Sequence, residues 1–360
     1  MWHLVSIIIL NYNWWKFNRP CLDSVLSQSY KDFEILFVDN NSSDWSVEEV
    51  KNAYKQYITA GKIKMIENKH NYGFAEGNNM GAIYADKYSK YICLLNNDTI
   101  LPSNRLEELV KGMESDPKLG MVGSLVLDKW GEDSMKDLLF KQKKMGVNNY
   151  IMETSFRDLT DHEIQTWVFY TTWIGWCSLL YKKDIIQQPF PSFYFAYGED
   201  TYLSLCNLLS WHKAALCVKS LVHHFGSWSF GKKTSLLKAF HGSKNQLCNI
   251  LIFHRRANRI KIVPIYLLYQ FMKLFSWNTF IRFKGLCKAI WWCIANRGKI
   301  SKQREQVTQL QKITDKQFLT QLSDRIFENI YFLNIPRYQI VIMDILNALC
   351  KFYFRLVHIK

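Results

Sequence analysis

Paired cysteine motifs are missing from this chain. Its nine cysteines (Cys21, Cys93, Cys177, Cys206, Cys217, Cys248, Cys287, Cys293 and Cys350) are scattered and odd in number, with no C-x-x-C pair. That argues against zinc ligation and a disulfide framework, and fits reduced thiols in a cytosolic compartment. Long apolar runs are missing too. In the C-terminal part, the obvious uncharged stretch covers only residues 262–272 before Lys273 ends it. A membrane-spanning helix needs about 20 such residues. The apolar run at residues 4–10 is too short for a secretory signal and follows no basic segment, so none is expected. Acidic residues are scarce in one half. Residues 201–360 hold 5 Asp+Glu against 25 Lys+Arg, whereas residues 1–200 hold 26 against 21. The net charge of +15 is therefore carried by the tail, which asks for an anionic partner such as a membrane surface or a nucleic acid.

What is present describes a globular protein. Apolar residues make up 48% and charged residues 21% of 360, enough for one large domain with an appendage. Residues 4–10 read as a buried strand, with a helix opened by Pro20 behind it. Strands at 35–38, 64–67 and 91–95 alternate with helices at 47–57 and 75–85. This βαβα rhythm predicts a parallel-centred α/β sheet. A helix at 102–113 and a strand at 121–127 follow. Residues 129–163 are polar, a candidate acceptor-facing insertion. A strand is expected at 171–181, a helix at 199–209, and a strand at 215–218 leading into His223-His224. From residue 235 the chain turns helical and basic, with segments at 236–259, 262–283 and 340–358. The expected division is 1–234 and 235–360, the second part associating with a membrane.

Several short motifs sit just after strands, where open α/β sheets bind ligands. Leu10-Asn11-Tyr12-Asn13 leaves the first strand, and Asp39-Asn40-Asn41-Ser42-Ser43-Asp44 leaves the second. Each also fits an ordinary strand exit, with Asp44 or Ser46 capping the next helix. Asn71-Tyr72-Gly73-Phe74-Ala75-Glu76-Gly77-Asn78-Asn79 is denser: two glycines permit close backbone approach, and its asparagines offer neutral donors and acceptors. Asn96-Asn97-Asp98 follows the strand at 91–95, although such a triplet also makes a plain turn. Glu199-Asp200 follows an aromatic stretch, residues 193–198. Adjacent carboxylates repel, which lifts one pKa. A helix first turn also favours acids.

In this order the motifs resemble the family-2 glycosyltransferases of the GT-A fold, especially the rhamnosyltransferase-like enzymes of bacterial surface polysaccharide and lipopolysaccharide synthesis. The resemblance covers roughly residues 4–230. It implies a GT-A (Rossmann-like) mixed α/β sheet flanked by helices, followed by the basic amphipathic helical region. It implies an inverting, metal-dependent transfer from a UDP- or dTDP-linked sugar, with rhamnose a candidate, to a saccharide or polyprenyl-diphosphate-linked acceptor. Donor binding falls to Leu10, Tyr12, Asn13, Asp39, Asn41, Asn71, Gly73, Asn78, Asn79, Asn96 and Asn97. Asp98 and His223 would hold Mn²⁺ or Mg²⁺. The family usually carries Asp-x-Asp, so Asn96 here supplies an amide where a charge is normal. Asp200 would be the base that deprotonates the acceptor, with Glu199 beside it. The expected location is cytoplasmic, peripheral at the inner face of the cell membrane.

A different class of reading is a nucleic-acid-binding protein that uses the basic tail. No helix-turn-helix, RNA-recognition or zinc signature supports it. The tail's cations are interleaved with apolar stripes, which suits an interfacial helix better; no nucleic acid is expected. A nucleotidyltransferase would need a glycine-rich, lysine-bearing loop after the first strand, and none is there.

Overall fold

Alternation of apolar side chains along the first strand decides the architecture. In the computed structural model, Val5, Ile7 and Ile9 enter one hydrophobic cluster and Ile8 enters the other, so both faces of the strand are covered. The structure describes residues 3–128, 144–161, 163, 168–175, 177–225, 235–274, 279–327 and 337–359. Its strands are β1 (Val5–Asn11), β2 (Phe33–Asp39), β3 (Ile63–Glu67), β4 (Tyr91–Asn96), β5 (Thr99–Ile100), β6 (Leu119–Asp128), β7 (Lys144–Asn148), β8 (Thr154–Asp158), β9 (Val168–Thr171), β10 (Ser178–Lys182) and β11 (Lys213–His224). The main sheet runs β3-β2-β1-β4-β10-β6-β11-β5, with β9 also paired to β11. β3, β2, β1 and β4 are parallel, while β10 runs antiparallel between β4 and β6. β7 and β8 form a separate antiparallel ribbon.

Helices cover both faces. On one side lie α1 (Trp15–Leu26), α2 (Ser46–Ala53) and α5 (Arg105–Glu114), which contribute Leu22, Val25, Val50, Leu106 and Leu109. The short α3 (Lys55–Thr59) follows α2. On the other side lie α4 (Gly73–Ile83), α6 (Glu199–Leu209) and the C-terminal helices. These are α7 (Leu236–Phe253), α8 (Arg256–Leu274), α9 (Thr279–Ala295), α10 (Arg297–Leu310), α11 (Asp315–Thr320) and α12 (Arg337–Leu356). Ile250, Ile262, Cys293, Val307, Phe318 and Phe354 share one core with Ile8, Leu36 and Leu94 of the sheet. The helical region is thus packed into the same core as the strands. No helix among the described residues is long and apolar enough to cross a membrane. Arg105 adds a polar tie: fully buried, its guanidinium donates to Ser124 of β6, Cys93 of β4 and Ser178 of β10.

The early elements lie within a few residues of expectation, and the departures have local causes. Pro20 does not open α1 but sits in its second turn; both Pro20 and Lys16, whose carbonyl loses its partner, are exposed. The strand expected at 171–181 is two strands, β9 and β10, pairing with β11 and with β4. The strand expected at 215–218 continues to His224, so the histidine pair lies inside a strand. The helix expected at 236–259 ends at Phe253, because His254 is extended and buried. Its Nε2 meets the Tyr150 carbonyl at 2.8 Å. Arg304 then caps the end of α7, donating to the carbonyls of Ile252 at 2.7 Å and His254 at 2.6 Å. Much of the polar segment 129–163, and Trp277 in the tail, lie outside the described residues.

Gly73 joins a left-handed backbone to a close backbone contact. Its φ is +79°, and a Cβ there would lie 2.5 Å from the Phe195 carbonyl oxygen. Gly61 has a similar φ of +72° with open space around it. Gly61→Ala should therefore lose only the backbone penalty of about 1–2 kcal/mol. Gly73→Ala should lose clearly more, because the 193–198 loop must also move. Urea midpoints of the two variants check this; equal losses would mean that the loop yields freely.

Candidate active site

The ends of β1 and β2 form one polar nest. Asn11 donates to Asp39 Oδ1 at 2.7 Å, and Ser42 Oγ donates to the same oxygen at 2.6 Å. The Ser42 N–H fills Asp39 Oδ2 at 2.8 Å. Asp39 is 2% exposed, so these donors offset the loss of water around its carboxylate. Asn13 and Asn41 are left-handed, with φ of 57° and 63°, a conformation asparagine tolerates. Asn13 is tied across the nest: its N–H donates to Ser42 Oγ at 2.9 Å and its Oδ1 accepts the Ser43 N–H at 2.7 Å. Leu10 is half-buried, whereas Tyr12 and Asn41 are exposed at the rim. Asp44 accepts the Ser46 N–H at 3.0 Å, but the N-cap of α2 is Trp45, so neither Asp44 nor Ser46 takes the cap position expected from sequence.

A second strip starts α4. Asn71 Oδ1 accepts the Gly73 N–H at 2.9 Å, and Asn40 donates to the Gly73 carbonyl at 2.8 Å. Gly77 packs where a Cβ would meet Leu10 and Asn40, so β1, β2 and α4 are held close. Asn78 and Asn79 require a correction. Both are buried; Asn78 bonds the Phe74 carbonyl, and Asn79 brackets the backbone of Phe190 at 2.9 and 3.0 Å. Their amides shape the wall and do not line an open space. Asn97 differs: it is half-buried, and its amide donates to the side chains of Asn11 and Asn18 at 3.1 and 2.9 Å.

The end of β4 meets the end of β11. Asp98 Oδ1 lies 3.1 Å from His224 Nε2, and the Asn96 amide is 3.4 Å from that nitrogen. The expectation of His223 beside Asp98 is corrected. Consecutive residues of a strand face opposite ways; His223 is exposed, while His224 is half-buried on the Asp98 side. Burial pulls the His224 pKa down, but Cys177 and Asp98 outweigh this and push it up to about 11. We ascribe the rise to Asp98, since a thiol is largely uncharged at neutral pH. Among the described residues, no three His, Cys, Asp or Glu side chains gather into a metal cage. A cation here would displace the His224 proton and take one carboxylate and one imidazole from the protein, with an amide nearby. That donor set fits a hard ion that takes its other ligands from phosphate and water.

The third centre is the turn into α6. Tyr197 and Gly198 are both left-handed, with φ of 71° and 78°, and α6 begins at once with Glu199. Glu199 is 1% exposed, and its Oε2 has no hydrogen-bond partner. Asp200 is half-buried, and its Oδ1 accepts the Thr201 N–H at 2.7 Å. Both carboxyls are pushed up. Burial is the main cause in each case; for Glu199 the neighbouring Asp200 adds to it, and for Asp200 the more distant Glu153 does. The Trp173 indole opposes the rise at Asp200 but forms no hydrogen bond of ordinary geometry. Mutual repulsion, the cause expected from sequence, is thus second to burial at Glu199 and is not among the main causes at Asp200.

Residues that the sequence reading missed hold this turn in place. From α7, Asn245 donates to the Ala196 and Tyr197 carbonyls at 2.9 and 2.6 Å, and Asn249 to the Gly198 carbonyl at 3.1 Å. Lys244, 2% exposed, donates to the Phe193 carbonyl at 2.6 Å. The available signal was polar residues spaced four apart on a helix that also has to bury a face. The Phe74 N–H donates to the Phe195 carbonyl at 2.6 Å, which joins this turn to the Gly73 strip.

Comparison with known proteins gives a consistent picture. Residues 6–182 match the family model described as glycosyl transferase family 2. The bifunctional glycosyltransferase pgtA of Dictyostelium discoideum is 26% identical over 176 residues, covering 46% of this chain and 23% of that protein. The UDP-Glc:alpha-D-GlcNAc-diphosphoundecaprenol beta-1,3-glucosyltransferase WfgD of Escherichia coli is 32% identical over 111 residues, covering 31% of this chain and 41% of that protein. The chain thus spans less than half the length of these two relatives. Among solved structures, GalNAc-T7 with UDP, GalNAc and Mn²⁺ superposes with a TM-score of 0.58 at 15% identity, over 84% of this chain and 58% of that one. At that identity the likeness shows the fold, a GT-A-like mixed sheet.

The raised carboxyls have a consequence for stability. Folded Glu199 and Asp200 hold protons more tightly than the unfolded chain does. Their contribution is fully present below about pH 4, where unfolded carboxyls titrate, and is lost as pH rises through the raised folded values. Glu199→Gln removes one titrating group without changing size. Its thermal midpoint should fall less than wild type's between acid and mildly alkaline pH. Parallel midpoint-pH curves for the two proteins would contradict the assignment.

Proposed function

From the match of residues 6–182 to glycosyl transferase family 2, we propose that the chain is an inverting, divalent-cation-dependent glycosyltransferase. It moves a sugar from a UDP- or dTDP-linked donor, rhamnose among the candidates, to a saccharide or polyprenyl-diphosphate-linked saccharide in cell-surface polysaccharide or lipopolysaccharide synthesis. The observation that carries this reading is Asp98 against His224 at 3.1 Å, at the mouth of the sheet beside the Asp39 nest. WfgD, named for a UDP-sugar donor and a diphosphoundecaprenol acceptor, supports the donor and acceptor classes.

In this reading the Asp39 nest, with Tyr12, Asn13 and Asn41 at its rim, receives the nucleoside. Asn71 and the Gly73 backbone approach it from α4. Asp98 and His224, with Asn96 near them, hold Mn²⁺ or Mg²⁺, which supplies positive charge for the leaving diphosphate. The Mn²⁺ in the GalNAc-T7 structure supports a divalent ion. Asp200 accepts the proton of the acceptor hydroxyl as that oxygen bonds to the anomeric carbon. The bond from that carbon to the diphosphate breaks on the opposite face, so one displacement inverts the centre. Glu199, buried and raised, keeps its proton and leaves Asp200 as the base.

The reading extends to docking at the inner face of the cell membrane. Three C-terminal helices each expose an apolar stripe at helical spacing: Ile260, Leu267 and Phe271 on α8; Phe280, Phe283, Trp291 and Ile294 on α9; Ile345, Leu349, Phe352 and Leu356 on α12. The opposite faces are buried through Ile262, Tyr266, Ala289, Cys293, Cys350 and Phe354. Stripes of this kind among Lys and Arg suit an anionic lipid interface better than a nucleic acid groove. Trp292 is half-buried against Phe193, so of the two adjacent tryptophans Trp291 is the one exposed on the stripe.

Two measurements test these proposals. Nucleoside diphosphate release from a panel of nucleotide sugars should require Mn²⁺ or Mg²⁺ and vanish in Asp98→Asn. It should drop strongly in His224→Ala and stay near wild type in His223→Ala. Transfer by Asp200→Asn should fall about 10²–10⁴-fold with donor binding kept. Activity that EDTA leaves untouched would remove the cation site.

For docking, the full chain should float with phosphatidylglycerol vesicles at low salt. A combined Phe271→Asp, Phe283→Asp, Phe352→Asp variant should stay in solution while still folded. Substitution is the right test because α7 to α12 share the sheet's core, so truncation would unfold it. If wild type fails to float, or the variant floats equally well, docking by these stripes is wrong.

A further inference from the structure

A crevice opens between α7 and α9, about 730 Å³ in volume, walled by Leu237, Phe240, Cys287, Trp291 and Trp292. That size is in the range of small-molecule sites. Among the described residues, Lys288 is its one charged lining residue. We propose that this crevice receives the isoprenoid chain of the acceptor lipid. The proposal rests on the reading above that the acceptor is lipid-linked.

Three observations point to this occupant. The first is the lining: apart from Lys288, no lining side chain carries more hydrogen-bonding capacity than a thiol or an indole N–H. A sugar or nucleotide would lose its hydrogen bonds there, whereas a branched alkyl chain loses nothing. Trp291 is 71% and Leu237 44% exposed, so large apolar surface stands open to be covered.

The second is position. Trp292 in the crevice wall packs against Phe193, with ring centroids 5.4 Å apart and planes tilted by 35°. Lys244 sits 4.6 Å from the Trp292 ring and donates to the Phe193 carbonyl. Phe193 begins the loop that ends at Glu199 and Asp200. One layer of side chains therefore separates the crevice from the loop that carries the proposed base.

The third is continuity and charge. Trp291 belongs both to the crevice and to the exposed stripe of α9, which Phe280 and Phe283 extend. A chain leaving the bilayer surface along that stripe arrives in the crevice without crossing polar ground. Lys284 and Lys288, exposed and one turn apart on the same helix, supply positive charge beside this path for an anionic diphosphate.

Cys287 makes the proposal testable in the full-length protein. It is the exposed member of the nine cysteines; Cys217 is half-buried and the rest are buried. Its alkylation by a maleimide should slow at least about tenfold with saturating farnesyl diphosphate in the absence of vesicles, and should be unchanged by inorganic diphosphate. Leu237→Asp and Trp291→Asp should each abolish this protection. They should raise KM for a long-chain lipid-linked acceptor by roughly tenfold, the equivalent of about 1.4 kcal/mol. Donor hydrolysis and KM for a water-soluble saccharide acceptor should stay as in wild type.

Labelling that farnesyl diphosphate does not slow overturns the proposal. Equal slowing by inorganic diphosphate would mean that only the lysines bind, which also overturns it. So does protection that grows with protein concentration in the absence of lipid, which marks an interface between copies. Protection by farnesyl diphosphate in a protein that transfers no sugar to any acceptor would leave the crevice standing and remove the transferase reading instead.

Discussion

The site depends on one strained corner. Tyr197 and Gly198 adopt left-handed backbone in succession, and for tyrosine this costs about 1–2 kcal/mol. Without that corner the chain could not turn from the aromatic loop directly into α6. Glu199 would not be driven into the core, and Asp200 would not be left at its edge. The amides of Asn245 and Asn249 offset the strain by donating to the three carbonyls of residues 196–198. The Tyr194 hydroxyl completes the knot by donating to Asn249 Oδ1 at 2.8 Å. The helix holding this corner lies beyond the family match at residues 6–182.

That dependence orders the electrostatics. Burial raises both carboxyls because α7 and its neighbours exclude water from the start of α6. The Asp98–His224 pair obeys the opposite rule: it is partly open, and attraction outweighs burial. One centre favours neutral acids and the other a charged pair, although both sit at the same mouth of the sheet. The difference lies in the neighbours: packed side chains from α7 around one, and the exits of β4 and β11 around the other.

The sheet was legible because buried parallel strands write their apolar pattern directly into sequence. β1 to β4 fall where residues 4–10, 35–38, 64–67 and 91–95 place them, and α6 has the expected bounds of Glu199–Leu209. The choice between His223 and His224 was not legible. It depends on strand parity, and parity requires knowing that β11 runs on through the pair. Asn78 and Asn79 misled for a related reason: an asparagine that bonds backbone within the wall looks, in sequence, like one that faces a ligand. Asn245 and Asn249 were hidden by their surroundings, a basic and apolar stretch whose overall character suggested a surface helix. The amphipathic reading of that stretch described its outward side and overlooked that the inward side was also polar.

The two sides of the C-terminal helices bear on each other. Inward, α7 fixes the loop before Asp200, and Lys273 of α8 pairs at 3.6 Å with Glu153, whose charge raises Asp200. Outward, α8, α9 and α12 carry the exposed stripes. Anything that seats these helices on a surface therefore acts on the same rigid elements that hold the proposed base. Packed helices transmit displacement because their interiors have little free volume to absorb it. On the proposed reading, attachment to lipid and the aim of Asp200 are not separable properties. A basic tail joined by a flexible linker would deliver the first without the second. Here the tail is core, and its grip on residues 193–198 is what couples the site to whatever the outer stripes touch.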